Sequence, residues 1–561
     1  MTSPQPPLEI ELKLALPPQQ ADAFLKRMAR RRSAPVQQAL HTRYFDTPDF
    51  ALSAQGVALR VRRVGRRWLQ TLKTEGERQG GLSRRAEYEM SVGRGVPDWR
   101  RFPAEALAWV PEDLRDQLVP VFETRFNRTA WLIKGRGGAQ IEVALDVGEV
   151  RAGEASQPIC EIELELKAGQ PDALFALALE WAGAFDCLPF DTSKAERGVR
   201  LAHGVADAPV KSAAVQLDGG MSVEDGFAAI VQACLAQFQA NLPGVLGVLP
   251  KTGGPGGAQP YPPLPQAGEG GEREAVGQEG ANVVPKLPLP NPPPLAGEGT
   301  NVMPTPINEY VHQARVALRR LRAALRLTRK ACALPDELTA GLRTLAAALG
   351  PARDWDVLCS ETLPAIAPHY PDADAWQRGV QALEAHRAGV RSAMRDALVQ
   401  ARPGAWLLAV QRWLLQRGWR AVAQEQRLVQ LSPLKAWARK ALQKGHRRIV
   451  RGARDFAALQ PTQRHALRIV IKRQRYAAEF FKTLFGGQRQ ARYLAALRDA
   501  QDSLGRANDA HIAWGLLTEV QVDAGPMRDF ALGWLAAQQA DAANGESAGR
   551  VRAFLKLERY W

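Results

Sequence analysis

Twice within the first 170 residues, charged and apolar side chains alternate one for one. LEIELKL sets Leu8, Ile10, Leu12 and Leu14 against Glu9, Glu11 and Lys13, and CEIELELK sets Ile162, Leu164 and Leu166 against Glu161, Glu163, Glu165 and Lys167. A period of two is that of a β-strand, whose successive side chains point to opposite faces. LRVR (Arg60, Arg62), QTLK (Thr71, Lys73), RRAEYEM (Arg85, Glu87, Glu89) and IEVALD (Glu142, Asp146) follow the same rule. An antiparallel sheet with a wet, charged outer face is the ordinary source of such a pattern. Glu-x-Glu, however, places two carboxylates about 7 Å apart on one face, and repeating it on several strands is repulsive unless cations lie between them. Other strands supply Arg and Lys to the same polar face. Closed inward, that face makes a charged tunnel in which carboxylates hold Mg²⁺ or Mn²⁺ through oxygen while guanidinium and ammonium groups neutralise a phosphate chain.

A chain of 561 residues exceeds what one core supports, so more than one domain is expected. Alternation dominates up to about residue 200, with an exception in the helical stripe Leu174, Leu177, Ala178 and Trp181; from Ser222 the period becomes helical. We therefore expect an α+β multidomain chain, with a strand-rich domain over 1–204, a linker over 205–221 and a helical domain over 222–561. Residues 244–306 contain 14 Pro and 13 Gly without a sustained apolar period, and repeat PPLPQAGEG as PPPLAGEG. They read as a disordered insert. The net charge is +16, yet residues 1–204 carry 29 Lys and Arg against 27 Asp and Glu, so the excess lies in the helical part. An anionic partner is implied for that part.

The five cysteines show no CxxC spacing and are expected as reduced thiols, which argues against a disulfide framework or a zinc site. No stretch has the length and apolarity of a membrane span, and MTSPQPPLEIELK lacks the basic and apolar regions of a secretory signal. The expected location is cytoplasmic, with association to granules of its anionic partner as a further expectation.

The helical part repeats itself. His312, Arg315, Arg319 and Arg322 recur at spacings of three, four and three, which puts all four on one helical face. His465, Arg468, Lys472 and Arg475 do the same, and each set is followed by a related motif, LGPARDWD from Leu349 and LGRAND from Leu504. The offset of 153 to 155 residues describes a duplication, hence two similar helical halves. A basic helix face is ordinarily just solvated. Crowding like charges on matched faces of both halves costs energy unless an anion is present, which favours a phosphate-chain surface. With a single imidazole in each stripe, the histidines suit phosphate donation better than metal ligation.

EIELK at Glu9, RYFDTPD at Arg43, LRVR, TLK, R-x-E-x-E at Arg85, ALDVGEV at Ala144, EIELELK and SKAERG at Ser193 stand in the order seen in CYTH domains, the triphosphate tunnel metalloenzymes. The resemblance covers about residues 8–201. It implies an eight-stranded antiparallel β-barrel tunnel with Glu9, Glu11, Asp146, Glu163 and Glu165 as metal ligands. Phosphate binding would fall to Lys13, Arg43, Arg60, Arg62, Lys73, Arg85, Arg128 and Lys194, with Glu9, Glu11, Lys13 and Lys73 closest to the chemistry and Lys167 at the mouth. HQARVALRRLRAALRL and LRDAQDSLGRANDA resemble the CHAD domain, a helical domain often fused behind CYTH. That resemblance implies polyphosphate binding on the basic faces, with Arg353, His446 and Arg447 added to the stripes.

The expectation is a metal-dependent inorganic triphosphatase whose helical domain binds polyphosphate. Thiamine triphosphatase or adenylyl cyclase activity on the same fold is the second enzymatic reading. A purely polyphosphate-binding protein is the third, disfavoured because the carboxylates would serve no purpose in it. Nucleic acid ranks last, since the basic helices lack interleaved aromatic residues for base stacking.

Overall fold

The computed structural model describes residues 7–31, 33–248, 307–541 and 546–561. Ten strands form one antiparallel sheet: β1 (Leu8–Ala15), β2 (Val36–Asp46), β3 (Val57–Val64), β4 (Arg67–Thr74), β5 (Glu77–Gln79), β6 (Leu82–Val92), β7 (Val119–Lys134), β8 (Gln140–Ala152), β9 (Ala155–Ala168) and β10 (Leu188–Pro189). Eight of them close, in the order β1-β9-β8-β7-β2-β3-β4-β6 and back to β1. Closure comes from the first alternating strand, which pairs with β9 through Glu11↔Glu165 and Lys13↔Glu163 and with β6 through Glu9↔Arg85 and Glu11↔Ser83. The short β5 and β10 extend the edges of β6 and β1.

Because the polar faces point inward, the apolar faces point out and must be covered from outside. Leu12, Leu14, Val143 and Ile162 pack beneath the helices Ala21–Ala29 and Asp172–Ala182 through Phe24, Leu174 and Trp181. On another flank Leu59, Val61, Leu72 and Tyr88 are covered by Phe102, Ala106 and Val110. The Lys194–Ala202 helix lies against β7 and β8, its start fixed by a capping box: Glu196 N donates to Ser193 Oγ (3.1 Å) and Ser193 N to the Glu196 carboxylate (2.7 Å).

The rest is helical. Val223–Leu246 packs along Ile307–Thr328 in the first half, and Leu434–Gly452 along Pro461–Phe480 in the second, around a shared core that includes Phe227, Phe238, Leu318, Phe480 and Tyr493. The two halves meet symmetrically at equivalent points. Val223 N donates to Ser432 O (3.0 Å) and Leu434 N donates to Met221 O (2.9 Å), so the residues preceding each half's first helix form a reciprocal bridge.

Two boundaries differ from the sequence reading. In the segment expected as a linker, 205–221, Val215 and Leu217 are buried in the helical core and Thr483 Oγ1 accepts from Leu217 N (3.0 Å). The expected insert at 244–306 lies outside the described residues from 249 onward, and its first residues complete the helix that ends at Leu246. That helix carries Pro243 within its last turn and closes on Gly247 in the left-handed conformation, a C-cap that glycine adopts without a Cβ penalty. All five cysteines are free; four are buried, and burial pushes the Cys187 and Cys234 thiols up to about 12. Among the described residues no helix is long and apolar enough to cross a membrane.

Candidate active site and basic helical face

The barrel encloses a cavity of about 1010 Å³ that runs from Gln38, Arg67 and Lys167 at one end to Ser53, Arg78 and Arg200 at the other. Register decides what lines it. On β1 the inward positions are 9, 11 and 13; on β3 they are 60 and 62; on β6 they are 85, 87 and 89; on β9 they are 161 to 167 in steps of two. Lys194 enters from the first turn of the Lys194–Ala202 helix.

Inside, carboxylates and cations interleave. Lys73 Nζ donates to both oxygens of Glu9 (3.0 and 2.9 Å) and lies 2.8 Å from Glu87. Arg85 spans Glu9 (2.7 Å) and Glu11 (2.5 Å), while Lys13 Nζ is 2.8 Å from Glu11. A second cluster sits on β7, β8 and β9. There Arg128 makes a two-pronged contact with Asp146 (2.7 Å for each bond) and reaches Glu163, and Lys194 Nζ donates to Asp146 (2.7 Å), Glu163 (3.0 Å) and Glu161. Asp146 is completely buried. Burial by itself would raise these carboxyl groups, but Lys73 and Arg85 hold Glu9 well below the usual range, and Lys194 and Arg128 do the same for Glu163.

Arg62 breaks the pairing. It donates to Thr42 Oγ1 (3.1 Å) and lies over the Phe126 ring, without a carboxylate in salt-bridge contact among the described residues. Burial, reinforced by Arg60 and Arg128 beside it, pushes its pKa down to about 10. A buried cation so destabilised gains most from an anion that enters beside it. Tyr44 lines the same region, its phenol held below its ordinary value against burial by Arg60, Arg62 and Lys194.

The structure brings Glu9, Glu11, Lys13, Arg60, Arg62, Lys73, Arg85, Arg128, Glu163, Glu165 and Lys194 onto one cavity, with Asp146 directly behind Arg128 and Lys194. Arg43 departs from the expectation. It occupies an odd position of β2, between Thr42 and Tyr44 on the inward face, and is exposed on the outside of the barrel. Glu161 was missed although the alternation of β9 places it beside Glu163; with Asp146 and Glu163 it forms a group whose carboxylate oxygens lie within 4.8 Å of one another. Tyr44 and Phe126 carry no sequence signal, because an aromatic residue in a strand reads as core. Lys167, at the mouth, pairs with Glu165 (2.6 Å), whose own pKa is raised by burial and by the nearby charges of Glu9 and Glu142.

In the helical domain the two stripes converge. Arg319 Nε donates to the Tyr476 hydroxyl (2.5 Å) across the helix pair, and Arg315 and Arg468 face equivalent carboxylates, Asp354 at 3.7 Å and Asp509 at 3.8 Å. Arg353 lies near His312, whose pKa is lowered by burial and then by that guanidinium. Lys472 is pushed down to about 7 by burial and by Arg319, Arg468 and Arg475, with Asp509 opposing. Arg475 is held by Gln501 (2.9 Å) and Glu479 (2.9 Å), while Arg322 and His465 are exposed. His446 does not join this face. Its Nδ1 lies 3.1 Å from the Tyr493 hydroxyl among the rings of Phe554 and Trp561, and Tyr493 accepts from Gln474 on the opposite side of the Pro461–Phe480 helix from Lys472. Arg447, next to it, is exposed.

Comparison with known proteins gives two family matches: residues 7–199 match the CYTH domain and residues 301–518 match the CHAD domain. An inorganic triphosphatase of Haemophilus influenzae is 35% identical over 211 residues, which is 34% of this chain and 54% of that protein. The chain thus spans about half the length of this relative. Among solved structures, the CHAD domain of the plant Ricinus communis is 27% identical with a TM-score of 0.47, covering 63% of this chain and 99% of the other. A protein from Hippeastrum, named as an adenylyl cyclase and described by a dominant triphosphatase activity, is 19% identical with a TM-score of 0.26, covering 35% of this chain and 96% of its own.

Proposed function

We propose that this chain, a CYTH domain followed by a CHAD domain, hydrolyses inorganic triphosphate to diphosphate and phosphate in the barrel and binds inorganic polyphosphate on its basic helices. The observation that carries the first half is the interleaving of Arg60, Arg62, Lys73, Arg85, Arg128 and Lys194 with carboxylates around a single cavity of about 1010 Å³. A linear polyanion entering it displaces internal carboxylates as the partners of these cations. Arg62, without a carboxylate partner in salt-bridge contact among the described residues, is its natural first contact.

The residues present fit a hard divalent cation. Asp146, Glu161 and Glu163 offer oxygen ligands at a spacing suited to one ion, and the group they surround here is itself a cation, the Lys194 ammonium. When bound, Mg²⁺ or Mn²⁺ would neutralise phosphate oxygens and lower the pKa of a bound water. The chain's own part is positional and electrostatic. Lys13, Lys73 and Arg85 sit where Glu9 and Glu11 now neutralise them, and Arg60, Arg62 and Arg128 line the same cavity. Water attacks the terminal phosphorus in line as the bridging P–O bond breaks, its proton passing to solvent or a product oxygen, and the negative charge left on the diphosphate is taken up by these cations.

Polyphosphate binding on the helices is supported by the convergence of His312, Arg315, Arg319, Arg353, Arg468 and Lys472, where Asp354, Glu361 and Asp509 offset only part of the positive charge. The deciding experiment is phosphate release from tripolyphosphate, thiamine triphosphate and ATP, each with Mg²⁺, Mn²⁺ or a chelator. Metal-dependent release fastest from tripolyphosphate is expected. Release confined to an organic triphosphate would reassign the substrate, and silence on all three would leave a polyphosphate-binding protein.

A further inference from the structure

The helix Val223–Leu246 is buried along most of its length and largely apolar, yet it carries three buried amides, Gln237, Gln239 and Asn241. Burying an amide is costly unless it is hydrogen-bonded. Gln237 is satisfied within the helical domain, by Gln313 (3.0 Å) and Arg320 (3.1 Å), and Asn241 by the connecting segment at Val210 (3.0 and 2.9 Å). Gln239 reaches the other way. Its Nε2 crosses the domain seam and donates to Asp191 Oδ2 (2.7 Å).

Asp191 is a staple. Its second oxygen accepts from Gly81 N (2.6 Å), Gly81 O accepts from Lys13 N (2.9 Å), and Lys13 O accepts from Phe190 N (3.0 Å). The turn is tight: Gly81 has φ +86°, and a Cβ there would come within 2.8 Å of Lys13 O. Gln411 of the helical domain braces the same turn, accepting from Gln79 Nε2 (3.1 Å) and lying where a Cβ on Gly80 would fall. Three residues beyond Asp191, Lys194 projects into the tunnel on Asp146, Glu161 and Glu163. The path from Gln239 to that ammonium is therefore one hydrogen bond and three residues of backbone.

We propose that Gln239 of the helical domain is a positioning residue for Lys194: it holds the Asp191 carboxylate, and through it the segment that aims the ammonium at the tunnel carboxylates. The helical domain thereby completes the barrel's site as well as offering its own surface. For its kinetic arm this rests on the triphosphatase reading above.

The test uses the full chain and four proteins: wild type, Gln239→Leu, Lys194→Met and the double variant. With tripolyphosphate and Mg²⁺, Gln239→Leu should lower kcat by about ten- to a hundredfold, the upper figure corresponding to a misplacement of about 1 Å, with KM changed less than about twofold. In the Lys194→Met background it should add nothing, because its effect runs through that side chain. In the absence of substrate, amide hydrogen exchange at residues 79–83 and 190–195 should quicken in Gln239→Leu while the Asp172–Ala182 helix keeps its protection. Additive losses of kcat, or unchanged exchange in both segments, would overturn the positioning role. If the wild type releases no phosphate, the triphosphatase reading falls and the exchange measurement alone decides this one.

Discussion

The tunnel and the helical face both gather cations, but they hold them differently. In the tunnel, carboxylates interleave with nearly every ammonium and guanidinium: Glu9 with Lys73 and Arg85, Asp146 and Glu163 with Arg128 and Lys194. On the helices Arg315 and Arg468 stand 3.7 and 3.8 Å from half-exposed carboxylates, and Lys472 faces Arg319, Arg468 and Arg475. Apart from Arg62, the enclosed site pairs its charges within itself, because buried charge without a partner is costly. The open face tolerates a surplus because water and salt screen it. Under the proposed function, the first region exchanges internal counter-ions for a substrate and its metal, and the second collects a long polyanion.

The comparison can be broken most directly in the tunnel. Glu11→Gln removes a carboxylate that the resemblance assigns to the metal and should reduce triphosphate hydrolysis by about a hundredfold, and cost stability of about 3–5 kcal/mol, since Lys13 and Arg85 lose a buried counter-charge; polyphosphate binding measured by titration should persist. Equal loss of both activities would show that the division is false. Reversing Arg315→Glu together with Arg468→Glu should weaken polyphosphate binding by roughly 30- to 150-fold, from about 2–3 kcal/mol of lost surface attraction, and leave kcat within about twofold. Raising salt should erode wild-type polyphosphate affinity more steeply than KM for tripolyphosphate.

A smaller effect follows from Lys472. Its folded pKa of about 7 lies below the unfolded value, so between that pH and about 10 the unfolded chain binds more protons and stability rises with pH across this window. A bound polyanion reverses the penalty on the charged form, so binding takes up a proton, and affinity should fall a few-fold as pH rises through 7. Lys472→Arg should flatten that profile; an unchanged profile would remove Lys472 from the face. The smallest effect expected is that of Arg43→Ala, which should leave both activities within about twofold because its side chain lies outside the barrel.

Much of the site could be read from the chain alone, because strand parity is a local property. Once Glu9, Glu11 and Lys13 share a face, the face inward on β1 is settled, and the same holds for Arg60 with Arg62 and for Arg85 with Glu87. Glu161 belonged to that rule and was overlooked. Arg43 violated it: RYFDTPD suggested a ligand where parity with Thr42 and Tyr44 puts the side chain outside. Helical period likewise specified the two stripes and the duplication.

Other properties arise only when distant segments meet. That the stripes of the two halves form one face depends on the Arg319 to Tyr476 contact, and that His446 stands apart depends on an aromatic cluster closed by residues 554–561. The lowered pKa of Lys472, and the lack of a carboxylate in salt-bridge contact with Arg62 among the described residues, are sums over neighbours from several elements. Sequence determined which side chains share a face, since spacing along a strand or helix dictates direction. Tertiary structure decided which faces meet, and with them the counter-charges and burial on which the chemistry of each site depends.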